Sequence, residues 1–183
     1  MKFIPQSIPD ILMITPTIHG DNRGYFAESY RQDLLDNFLG YRVNFVQDNE
    51  SKSSKGVLRG LHYQIPPSAQ AKLVRVIQGS VLDVAVDIRK SSSTFGQHVA
   101  LELSSDNKRQ LFIPRGFAHG FVVLSESAIF SYKVDNYYHP ELERGIAFND
   151  KELSIDWALE SNMLKLSDKD LSYPALSLSE LFD

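Results

Sequence analysis

The chain has 183 residues, 43% of them apolar, with 19 Lys and Arg against 23 Asp and Glu for a formal net charge of −4. This is ordinary for a globular protein with enough chain for one core, so a single domain over 1–183 is expected. The acidic balance and the lack of any Lys/Arg run argue against a nucleic-acid partner, and the absence of cysteine excludes disulfides and thiolate metal sites.

The first residues, MKFIPQSIPDILMI, are interrupted by Pro5, Pro9 and Asp10 and lack the unbroken apolar run of a secretion signal. No segment approaches the ~20 apolar residues of a membrane helix, so no membrane partner and a cytoplasmic location are expected. Residues 20–24 read as a turn and 25–30 as a strand. Residues 33–40 read as a short helix: Leu34, Leu35, Phe38 and Leu39 share a stripe, Asp33 can cap the start and Gly40 can end it. A strand over 43–47 then leads into a polar connection, 48–56. From 57 to 138 the pattern is short apolar strands (57–63, 72–77, 81–88, 99–103, 110–113, 120–124 and 128–134) separated by turn formers. An antiparallel β-sandwich or barrel follows, not a doubly wound α/β fold, with short helices near 150–160 and 177–183.

Chemistry is concentrated on a few strands. Val57-Leu58-Arg59-Gly60-Leu61-His62-Tyr63 places a guanidinium and an imidazole three residues apart, on opposite faces of a regular strand. If both serve one pocket the strand must be irregular, and Gly60 is where a bulge would sit. In Lys72-Leu73-Val74-Arg75-Val76-Ile77 either register puts a cation on an apolar face, where it needs a partner or an anionic ligand; snorkelling to solvent is the plainer reading. In residues 81–89, Leu82, Val84, Val86 and Ile88 form a core face. Asp83, Ala85 and Asp87 face solvent or a polar cavity, where Asp83 could pair with Lys72. His119 follows the turn Pro114-Arg115-Gly116, and Tyr132 and Tyr138 share a strand face on which a phenol needs a hydrogen-bond partner or a stacked ring.

The spacing Pro114-x-Gly116-x-x-His119 resembles the second metal motif of cupin barrels. The first motif is missing: Tyr63 and Gln64 follow His62, and Lys72 stands where an acid is wanted. Two histidines and a lysine do not make a three-ligand site, so no metal is expected.

Taken in order, Gly20-Asp21-x-Arg23-Gly24-x-Phe26-x-Glu28-Ser29-Tyr30, Phe45-Val46-Gln47-Asp48-Asn49, Val57 to His62, Lys72-Leu73-Val74-Arg75, Asp83 to Arg89, Asn107 to Leu111, Ile113 to Phe121, Tyr132-Lys133 and Asn136-Tyr137-Tyr138 resemble the dTDP-4-dehydrorhamnose 3,5-epimerase family. The resemblance runs from about Gly20 to Pro174. It implies a cupin-like jelly roll without metal or other cofactor, a homodimer, and a nucleotide-linked 4-keto-6-deoxyhexose as substrate, on the route to dTDP-rhamnose and lipopolysaccharide. It implies His62 as base, Asp170 as its carboxylate partner with Asp168 as competitor, Lys72 at the ketone oxygen and Tyr132 as acid. An imidazole of ordinary pKa ~6.5 is mostly neutral at pH 7, while a lysine and a phenol keep their protons. It further implies substrate binding by Arg23, Glu28, Gln47, Asp48, Asn49, Arg59, Lys72, His119, Tyr138, Glu143 and Lys169; Arg23 and Arg59 suit phosphate. The departures, at residues 64–70, at Arg144 and after Ile155, bear on the nucleotide and sugar. The rival readings are a sister epimerase acting at one carbon or on another nucleotide sugar such as a GDP-heptose, a non-catalytic carbohydrate-binding jelly roll, and a metal-dependent cupin.

Overall fold

The computed structural model describes residues 1–183. Strands β1 (Lys2–Pro5), β2 (Leu12–Thr15), β3 (Ile18–Asp21) and β4 (Gly24–Ala27) precede helix α1 (Gln32–Leu39). Then come β5 (Gln47–Ser54), β6 (Leu58–Gln64), β7 (Lys72–Gln78), β8 (Ser80–Asp87), β9 (His98–Ser104), β10 (Gln110–Ile113), β11 (Phe117–Val123) and β12 (Ser127–Val134). A three-residue β13 (Glu143–Gly145) and a one-turn helix α2 (Asp168–Leu171) complete the set, with brief 3-10 turns between. Two sheets face each other, one in the order β1-β2-β10-β7-β12-β5 and the other β13-β6-β11-β8-β9. Every pairing within them is antiparallel, and most neighbours are distant in sequence, as in the predicted jelly roll. β3 and β4 form a separate hairpin that joins neither sheet.

Alternation along each strand explains the packing. Val74 and Val76 of β7, Ala85 of β8, Phe121 of β11 and Phe130 of β12 meet between the sheets in the main core. Val84 and Val86, with Ile88 beyond, point the other way and are covered by Ile146, Trp157 and Leu176 of the C-terminal segment. Both faces of β8 are therefore buried, and Asp83 and Asp87 are carboxylates with no exposure at all. Leu35 of α1 and Leu73 of β7 belong to a third cluster on the outer face of the six-stranded sheet.

Four expectations need correction. The strand expected over 43–47 starts only at Gln47, and the supposed connection 48–56 contains β5, which pairs along its whole length with β12. β5 lacks an apolar face because it edges the sheet, with residues such as Gln47 and Asn49 facing a polar cavity. The strand expected over 25–30 stops at Ala27. Residues 150–160 form turns, not a helix, and near the C-terminus only Leu176–Leu178 make a 3-10 turn. In α1 the N-cap is Arg31, with Asp33 inside the first turn, while Gly40 ends the helix in the left-handed conformation as expected.

The bulge in β6 lies where the glycine suggested. His62 opposes His119 and Arg59 opposes Phe121, so Gly60 and Leu61 stand against Gly120 alone. The extra residue returns Arg59 and His62 to one face. Gly60 has φ +134°, and a Cβ there would lie 2.5 Å from the Cα of Gly120. Gly60→Ala is therefore expected to cost roughly 2–3 kcal/mol in urea unfolding; an unchanged midpoint would show that the bulge does not require glycine.

Candidate active site

Five strands deliver side chains to one cavity of about 300 Å³. The five-stranded sheet supplies His62 from β6 and Glu143 from β13; the six-stranded sheet supplies Lys72 from β7, Tyr132 from β12, and Gln47 and Asn49 from β5. Imidazole and phenol thus come from opposite sheets.

His62 Nε2 lies 2.6 Å from Asp170 Oδ1. The carboxylate is buried, its Oδ2 accepts from Ser167 Oγ at 2.7 Å, and the Gly60 N–H reaches Oδ1 at 3.5 Å. Burial alone would raise the Asp170 pKa, but the bonds from His62 and Ser167 outweigh it and hold the carboxyl below its ordinary range. Ser167 also caps α2, accepting from the Asp170 N–H, which fixes the aspartate on the helix that presents it. Asp168, the competing acid, makes no bond to the imidazole. With Nε2 donating to Asp170, Nδ1 holds the free lone pair.

Lys72 is almost fully buried, and its only hydrogen bond is to the His62 carbonyl oxygen at 3.4 Å. Burial pushes its pKa from 10.5 down to about 8, against the pull of the Asp83 and Glu143 charges. Asp83 does not bond the lysine, as the sequence had suggested it could. Its Oδ2 meets His119 Nε2 at 2.9 Å, and its Oδ1 is buried without a partner. His119 lies behind the cavity, not on its wall, and burial lowers its pKa despite Asp83 beside it. Burial likewise raises the Tyr132 pKa, so the phenol keeps its proton at neutral pH.

At the rim, Tyr138 donates to Glu143 at 2.6 Å and Lys169 pairs with the same carboxylate. Burial would raise Glu143, but Lys169 and Tyr138 hold it below its ordinary value. Arg59 sits beyond the cavity wall, bonded to Ser53 at 3.2 Å and electrostatically coupled to Tyr132.

Three expected binding residues lie elsewhere. Asp48 points to the outer face, paired with Lys133 at 2.9 Å, because alternation in β5 sends its neighbours Gln47 and Asn49 inward instead. Arg23, at the tip of the β3–β4 hairpin, is 85% exposed and paired with Asp21, and Glu28 pairs with Arg31 at 3.3 Å. Besides Tyr63, whose hydroxyl donates to the Glu180 carbonyl, two lining residues were missed. Gln64 lines the cavity and is buried; its amide donates to the Ser68 and Tyr137 carbonyls and accepts from the His139 N–H, which pins the loop carrying Tyr138. Gln70 lines it too, donating to Asn136. The signal for Gln64 was its position two residues after His62, which puts both side chains on one face of the strand. No group of three or more His, Asp or Glu side chains is arranged to hold a metal ion.

A carboxylate-oriented imidazole, a phenol from the opposite sheet and an ammonium in the same cavity suit proton removal beside a carbonyl. Residues 5–177 match the family model of dTDP-4-dehydrorhamnose 3,5-epimerase. The chain is 53% identical over 182 residues to the enzyme of that name from Pseudomonas aeruginosa, covering 100% of this chain and 99% of the relative. The chain belongs to the dTDP-4-dehydrorhamnose 3,5-epimerase family.

The crystal structure of the Elizabethkingia anophelis epimerase superposes with TM-score 0.94 at 52% identity, covering 97% of each chain. That of the Legionella pneumophila epimerase, solved with dTDP-4-keto-L-rhamnose bound, superposes with TM-score 0.93 at 51% identity, covering 97% of this chain and 93% of that one.

In this epimerase the buried ammonium of Lys72 is a cost to folding. Its folded pKa is below the unfolded one, so the unfolded chain binds more protons between about pH 8 and 10.5, and this group makes stability rise with pH over that window. Lys72→Met is expected to gain on the order of 3 kcal/mol at pH 7 and to lose that rise. Denaturation at several pH values checks both; identical pH slopes for the two proteins would contradict the burial cost.

Proposed function

We propose that this epimerase converts dTDP-4-dehydro-6-deoxyglucose to dTDP-4-dehydrorhamnose with His62, Lys72 and Tyr132 as its reacting groups. Carbons 3 and 5 both flank the 4-ketone, so one enolate oxygen serves both inversions. His62 Nδ1 takes the proton from carbon, the electron pair moves into the enolate, and the Lys72 ammonium stabilises the oxygen. Tyr132 returns a proton to the opposite face. Asp170 holds the imidazole tautomer and balances the imidazolium that forms. The observation that carries this reading is the placement of base and phenol on opposite sheets across one cavity, with Lys72 beside them. His119, neutral behind Lys72, and Asp83 set the polarity of that wall. Glu143, Lys169, Tyr138, Gln47, Asn49 and Arg59 bind sugar, phosphates and base.

A homodimer is part of the proposal. The β3–β4 hairpin is almost wholly exposed, with Tyr25 at 61% and Phe26 at 66%, which is more apolar surface than a lone hairpin leaves in water without a partner. It carries Arg23, which is not among the residues lining the chain's own cavity. A second copy offering this hairpin to the cavity would supply Arg23 to the phosphates and bury both rings. Residues 1–183 act as one folding unit, since the tail bridges back to Val57 and Arg89. A cytoplasmic location, where nucleotide-linked sugars are substrates, is part of the proposal; no helix is long and apolar enough to cross a membrane.

His62→Asn and Tyr132→Phe are each expected to lower epimerisation by ~10²–10⁴-fold with the fold retained. Deuterium incorporation at carbons 3 and 5 reads this, and separates a two-centre from a one-centre enzyme; an unchanged rate in either variant refutes its role. The wild-type rate is expected to fall above about pH 8 as the Lys72 ammonium loses its proton; a flat profile to pH 10 would remove Lys72 from the chemistry. Arg23→Ala is expected to raise KM about tenfold or more with little change in kcat; an unchanged KM, or a monomer in sedimentation, would remove the hairpin from the site.

A further inference from the structure

We propose that Tyr173 is a positioning residue that holds the His62 imidazole in its reactive orientation through its ring, not its hydroxyl. This rests on His62 being the base. One hydrogen bond fixes His62 at Nε2 but leaves the ring free to pivot about the line to Asp170, and the side chain is 30% exposed. Tyr173, three residues after Asp170, closes that freedom. The two rings meet edge to face, with centroids 5.5 Å apart and planes at 68°, a favoured aromatic arrangement.

The fold makes room for this contact. Gly145 of β13 is the register partner of His62, and a Cβ at Gly145 would come within 2.5 Å of the Tyr173 ring. The ring lies over that glycine and against the imidazole. Meanwhile the Tyr173 hydroxyl is buried with no hydrogen-bond partner, and burial beside the Glu143 and Asp170 charges raises its pKa further, so it stays protonated and makes no bond. A buried hydroxyl without a partner is unfavourable, so hydrogen bonding does not explain a tyrosine here. The aromatic edge does. By excluding water it also strengthens the charge-assisted bond between His62 and Asp170.

The test is deuterium incorporation into dTDP-4-dehydro-6-deoxyglucose by five variants, with unfolding midpoints measured alongside. Tyr173→Ala is expected to lower kcat about tenfold with KM within about twofold, inside the ~10²-fold that an ångström of misplacement costs. Tyr173→Leu, which keeps volume without a planar edge, serves if the alanine variant does not fold, with the same loss expected. Tyr173→Phe is expected to match the wild type. In a His62→Asn background, Tyr173→Ala should cost nothing further, because a residue acting through the imidazole has nothing left to orient. Full kcat in the alanine and leucine variants, a phenylalanine variant as slow as alanine, or an undiminished loss in the His62→Asn background would each overturn the proposal. Wild-type turnover by His62→Asn alone would instead overturn the assignment of the base, and the proposal with it.

Discussion

One extra residue in β6 organises this site. A strand alternates sides, so Arg59 and His62 would diverge in regular geometry. With Gly60 and Leu61 opposed by Gly120 alone, the imidazole turns into the cavity and Arg59 turns to the same side. The same distortion points the Gly60 N–H at Asp170, so the backbone that aims the imidazole also supplies a donor to its carboxylate partner. Two glycines meet there because neither position has space for a Cβ: one on Gly120 would lie 2.8 Å from the Arg59 carbonyl oxygen. Bulges beside active sites commonly re-aim a side chain in this way.

The electrostatics follow from burial. Lys72 sits in a low-dielectric wall near Asp83 and Glu143, close enough to feel both charges and bonded to neither. An ammonium held this way is poorly solvated and ready to meet charge that develops in the cavity, the condition under which preorganised groups are most effective. The carboxylates divide the remaining work. Asp170 fixes His62, Asp83 fixes His119, and Glu143 gathers Tyr138 and Lys169 at the rim. Each histidine therefore has its own acid, and the two operate at different depths: one on the cavity wall, one behind it.

Much of this was legible in the sequence where side-chain periodicity or a breaker residue dictates structure. The antiparallel β architecture followed from short strands at regular spacing and its jelly-roll form from the family resemblance, the end of α1 from Gly40, and the bulge from a glycine between two polar residues meant for one pocket. β5 was not legible because an edge strand facing a polar cavity has no apolar face, so Asp48 to Ser54 reads as a loop. The C-terminal segment was not legible either: Trp157 and Leu176 fold over the outer face of β8 by tertiary packing, without helical periodicity. Within the site, Lys72 was visible as a cation on an apolar strand. Asp83 was visible only as an alternative, because the sequence does not reveal that His119 faces it across two neighbouring strands. Asp48 was misplaced by motif, and alternation around Gln47 and Asn49 corrects it. Arg23 and Glu28 lie on and just after a hairpin that joins neither sheet, so the fold of the single chain does not bring them to the cavity.

The most direct check on the whole account is a crystal structure of this chain with dTDP-4-keto-L-rhamnose bound. The account predicts the sugar ring between the two sheets, with His62 Nδ1 and the Tyr132 hydroxyl over opposite faces and the Lys72 ammonium within hydrogen-bond distance of the carbonyl oxygen at carbon 4. A ring lying outside the cavity, an imidazole and phenol on the same face, or a carbonyl turned away from Lys72 would contradict it.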